Sequence, residues 1–135
     1  MKAISLCQPW ASLMALGAKK IETRSWATNY RGQLLIHASK KVVPWKSEIS
    51  EEVCKALGGT MTFYGCLLCV VDLIDCQRVT FFFNVPPKPE LLFGDYTPGG
   101  FMWITENPRP FDPPLLYRGQ QGLFDVPDSR IPISK

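Results

Sequence analysis

The sequence predicts one α+β domain over residues 1–135, with two helices and a set of short strands joined by irregular links. Three observations carry this. Trp10, Leu13 and Met14 recur at helical spacing and Gly17 follows as a left-handed stop. Residues 47–57 place Ile49, Val53, Ala56 and Leu57 on one helical face, ended by Gly58 and Gly59. Residues 65–76 are a near-continuous aliphatic run, the pattern of a strand covered on both faces. A chain of 135 residues buries a core without metal or disulfide staples.

In order, residues 3–6 form a first strand, and Pro9 suits the first helical position with Gln8 at the cap. After Gly17 comes a strand from Lys20, whose alternation sets Lys20, Glu22, Arg24 and Trp26 on one face. A polar turn at residues 28–32, with Tyr30 and Arg31 adjacent, joins it to a strand at 33–38, so the two are expected to form a hairpin. That hairpin would bring Lys19, Glu22 and Arg24 to one mouth beside His37 or Lys40. Ser47 caps the second helix, and Glu48, Glu51 and Glu52 complement its dipole. Residues 79–100, with Phe81, Phe82 and Phe83 and a proline cluster, read as a flap packed by its own aromatics, with one helical turn near Phe93. Trp103 centres a strand at 101–105. Pro108, Pro110, Pro113 and Pro114 then impose extended chain, and a glycine turn leads into a last strand at Phe124.

Composition excludes several classes. No apolar run approaches the ~20 residues of a membrane helix, and the N-terminus lacks a signal-peptide pattern. Five cysteines without a framework predict reduced thiols and an intracellular setting, cytoplasmic or, in a eukaryote, nuclear. Cys66 and Cys69 would point to opposite faces of a regular strand, so they read as core thiols. His37 is the only histidine and no cysteine spacing completes a zinc set, so neither metal nor cofactor is expected. It is either a structural hydrogen bonder or a ligand contact. Asp72, inside the apolar strand, needs a partner, expected from the basic face of the second strand.

Charge is lopsided: residues 1–46 carry net +7 and residues 47–135 net −4. The positive part also holds Trp10, Trp26, Tyr30 and Trp45, rings for bases beside cations for phosphate. The plain alternative is a solvated basic surface over core aromatics.

Gly17, Lys19, Glu22 and Arg24 fit Gly-x-Lys-x-x-Glu-x-Arg, which resembles the signature of the ASCH domain (activating signal cointegrator homology). The Gln8-Pro9-Trp10-Ala11 opening, the 65–76 strand and the Gly119–Phe124 closure resemble the same family in the same order. The resemblance implies a PUA-like fold: a small, mostly antiparallel β-barrel with flanking helices. It also implies binding of RNA or single-stranded nucleic acid, or of a nucleoside-like small molecule. Some small family members hydrolyse acetylated cytidine through a lysine and a threonine of the signature; Lys19 matches the lysine, but Glu22 stands at the threonine. Three readings stay open. In recognition, Glu22 accepts from a base edge while Lys19, Arg24, Arg31, Lys40 and Lys41 meet phosphate, and Trp10, Trp26, Tyr30 and His37 complete the surface. In an amidohydrolase or nuclease, Glu22 is the general base and Lys19 stabilises the oxyanion. In the third, Glu22–Arg24 is an ordinary ion pair.

Overall fold

The computed structural model describes residues 1–44, 47–81 and 83–132. Trp45, Lys46 and Phe82 lie outside the described residues, as do the side chains of Ser47 and Glu48. The elements run β1 (Lys2–Leu6), α1 (Trp10–Leu16), β2 (Ile21–Arg24), β3 (Gly32–Ala38), α2 (Ser47–Leu57), β4 (Cys66–Arg78), β5 (Phe101–Leu116) and β6 (Phe124–Asp125). Two single 3-10 turns lie at Glu90–Phe93 and Asp128–Arg130.

The α+β class holds, and the closed barrel does not. One six-stranded sheet runs in the order β2-β5-β4-β3-β1-β6, and its two end strands do not meet. Every pairing is antiparallel except β1 with β3. The ends are finished by other means. Glu90 accepts the Lys20 N–H at 2.7 Å at the start of β2, and β6 is only two residues long. The expected hairpin is also absent, because β2 pairs with β5, and both β5 and β4 lie between it and β3. Trp103 Nε1 donates to the Trp26 carbonyl at 3.2 Å, which holds the chain to β5 just after β2.

Alternation along the strands builds a core on each sheet face. Ile4, Leu6, Leu34, Ile36, Ala38 and Trp103 face α1, whose Ala11 and Met14 join them. Ala3, Leu35, Leu67, Val70, Phe111 and Phe124 fill the opposite face. A third cluster joins the helices to the long loop through Leu13, Val53, Leu57 and Phe93. α1 begins at Trp10 with Pro9, not Gln8, at the N-cap position; the Gln8 side chain, one residue earlier, still accepts the Ser12 N–H at 2.9 Å. Gly17 ends it at φ 80°, where only glycine is unstrained.

Two local readings are corrected. Cys66 and Cys69 share one core face, because the β4–β5 register shifts between Leu67 and Cys69 and the bulge consumes a residue. Both remain free thiols, and burial pushes Cys69 up to about 12. The partner of Asp72 is Arg109, at 2.9 Å from β5, not a group of the signature strand. In the flap, Phe93 is buried, whereas Phe83 is 90% exposed, so that ring does not pack the loop. β5 continues through its prolines to Leu116. It can do so because β2 covers only Phe101–Ile104, which leaves the rest an edge where missing N–H donors are tolerated.

Candidate functional site

The signature residues are organised around Glu22. Arg24 donates from Nε to Glu22 Oε2 at 3.0 Å, and its Nη2 forms an ion pair with the same oxygen at 2.9 Å. Arg24 Nη2 also donates to the Ser5 carbonyl at 2.8 Å, which ties β2 to β1 across the molecule. The Lys19 ammonium lies 3.6 Å from Glu22 Oε1. It is 1% exposed, and it donates to the carbonyls of Ile21 and Phe93 at 2.5 Å each. Burial pulls it below the usual lysine range, with the Glu22 carboxylate opposing that shift. Its ring neighbour is Trp10, 5.7 Å away. Lys19 is thus spent on backbone and on one carboxylate.

A large cavity, about 1210 Å³, opens beside Arg24. Arg24, Trp26, His37 and Lys40 line it, so these four expected site residues come together. Ser5, Tyr117, Arg118, Gly119 and Arg130 line it as well, and sequence reasoning missed them. Four cationic side chains reach it, with no carboxylate among the described lining. Trp26 is 36% exposed, its ring braced edge-on against Trp103 at 4.7 Å. Arg130 lies 5.2 Å from the Tyr117 ring.

His37 forms the floor. It is 2% exposed, with Nδ1 2.9 Å from Ser5 Oγ and Nε2 2.7 Å from the Tyr117 carbonyl. Burial lowers its proton affinity, opposed by the Tyr117 carbonyl. Gly119 lies flat on the imidazole: a Cβ there would stand 2.6 Å from His37 Cε1. That close approach is the local reason for glycine at this position.

The other expected residues lie elsewhere. Glu22 and Trp10 border a separate cavity of about 540 Å³ with Leu92 and Phe93. Tyr30 packs on the α1-side core, bonds its hydroxyl to the Gln33 carbonyl, and shares a third depression with Arg31. Arg31 pairs with Asp75 at 3.7 Å. Lys41 is exposed on the chain beyond β3, outside the large cavity.

An α+β domain with an open sheet and a cationic, carboxylate-free cavity beside a Lys-Glu-Arg cluster defines the class. The sequence model of the ASCH domain family matches residues 4–115, and the chain belongs to that family. It is similar to activating signal cointegrator 1 of Mus musculus and of Homo sapiens, 34% identical to each over 136 residues. The match covers 95% of this chain but only 22% of either relative, so the chain spans about a fifth of their length. Among the described residues, no helix is long and apolar enough to cross a membrane.

Proposed function

We propose that this domain binds single-stranded RNA, or a nucleotide-like fragment of it, in the cavity beside Arg24. The observation that carries this reading is the lining: Arg24, Lys40, Arg118 and Arg130 with Trp26 and Tyr117, and no acid among the described residues. Cations neutralise phosphate and rings accept stacked bases, which together suit a single strand. Lys40, Arg118 and Arg130 are exposed and reach phosphate without breaking internal bonds, whereas Arg24 is held in place by Glu22. Lys19, Glu22 and Arg24 hold the cavity wall, and Lys19 supports the site without touching ligand. A hydrolase that used Lys19 against an oxyanion would first have to take its ammonium from two backbone carbonyls, which disfavours that alternative.

Fluorescence anisotropy with a labelled single-stranded RNA tests the reading. With three phosphates engaged, affinity falls about 20-fold between roughly 50 and 200 mM salt. Absence of binding at the lower salt would overturn it.

A further inference from the structure

We propose that Ser5 and His37 form a nucleophile–base pair that cleaves carboxylic esters carried by anionic molecules in the large cavity. The argument begins with the tautomer. The Tyr117 carbonyl can only accept, so His37 Nε2 must carry the hydrogen at that 2.7 Å contact. In the neutral ring Nδ1 is then a bare lone pair, and the Ser5 hydroxyl 2.9 Å away must donate to it. The serine proton is already directed at a base, the base is oriented by a third group, and the serine lines the cavity.

The surroundings support the pairing. Ser5 and His37 stand opposite each other in the parallel β1–β3 register, so the pair rests on two rigid strands. Burial keeps the imidazole neutral at ordinary pH, which preserves the accepting lone pair. Arg24, held by Glu22, is clamped to the carbonyl of the nucleophile's own residue, which fixes the backbone that carries Ser5. The cationic lining selects an ester whose alcohol or acyl part bears phosphate.

In the step, Ser5 Oγ bonds to the ester carbonyl carbon while its proton passes to His37 Nδ1. The tetrahedral adduct expels the alcohol, which takes that proton and leaves an acyl-Ser5. Water then attacks the acyl carbon, gives a proton to His37, and releases the carboxylic acid as Ser5 regains its hydrogen. The sum is ester plus water giving acid plus alcohol.

The pair stands on its own geometry and would survive failure of the RNA reading. The full chain is treated with a fluorophosphonate probe and the adduct mapped by mass spectrometry, while acetate release is followed from 3′-O-acetyl-AMP and from uncharged p-nitrophenyl acetate. The expected results are label on Ser5, faster turnover of the anionic ester, a loss of about 10³-fold or more in Ser5→Ala, and of about 10²-fold in His37→Gln. Folded wild-type protein that takes no label on Ser5, or Ser5→Ala that keeps wild-type turnover, overturns the proposal. Equal turnover of both esters overturns the assigned substrate class. RNA anisotropy on the same samples reports separately on binding.

Discussion

Replacing Lys19 with methionine keeps much of the side-chain length and removes only the charge and its donors. In the wild type those donors serve the carbonyls of Ile21 and Phe93 at a site 1% exposed. Each carbonyl left unpaired costs about 1–3 kcal/mol. Glu22 keeps Arg24, so its charge is not orphaned, and the desolvation of a buried ammonium is relieved, which offsets part of the loss. The net expectation is destabilisation of about 3 kcal/mol. At about 2.1 cal/mol/K per residue, the unfolding entropy of a chain this long is about 0.3 kcal/mol/K, so the melting temperature should drop by about 10 °C. Phe93 belongs to the 79–100 loop, so limited proteolysis should cut that loop faster in the variant. Calorimetry on Lys19→Met decides the matter. A midpoint within about 2 °C of wild type, with unchanged proteolysis, would refute the claim that this ammonium fastens the loop to the signature strand.

Four further outcomes are expected. Thermal stability should fall as pH drops from about 8 to about 5. Burial holds folded His37 below its ordinary value, so the unfolded chain takes the proton first, and the stability present above that value is lost on acidification. The cations Arg24, Lys40, Arg118 and Arg130 line its cavity with no described carboxylate, and His37→Gln should flatten the pH dependence of the melting temperature. Gly119→Ala forces a Cβ against His37 Cε1 and should cost about 1–3 kcal/mol in denaturant titration. The double variant Lys40→Ser, Arg118→Ser should reduce the salt slope of RNA binding by about 1.4, the contribution of two phosphate contacts. In native protein a thiol reagent should modify exposed Cys54 quickly and Cys69 only after unfolding, as read by peptide mapping.

Local signals were legible in the residues. The α1 stripe with its Gly17 stop, the face of α2 and the β4 run each declare themselves within a short window, and all three form. Pairing order was not legible. β2 meets β5, some eighty residues away, and nothing near Arg24 announces it. The prolines of β5 hid a strand of 16 residues, since they exclude a central position but not an edge. At the site, the cationic residues Arg24 and Lys40 were visible from charge and place in the sequence. Ser5 and Gly119 were not, because their meaning depends on the parallel β1–β3 register and on a loop returning across the imidazole. A polar residue did interrupt each strand's inward alternation, at Ser5 after Ala3 and at His37 after Leu35. That pair of interruptions was the available signal, and it needs the register before it can be used.

The outer side of β5 bears on how the domain tolerates crowding. Pro108, Pro110, Pro113 and Pro114 remove four amide hydrogens from a stretch that β2 leaves uncovered. An incoming strand from a neighbouring molecule would find gaps where it needs donors, and could not lay down a continuous ladder. At the opposite end of the sheet, β6 offers a template two residues long. Copies held at high local concentration are therefore protected from zipping together edge to edge. The same prolines that disguise the strand in the sequence keep the sheet finite.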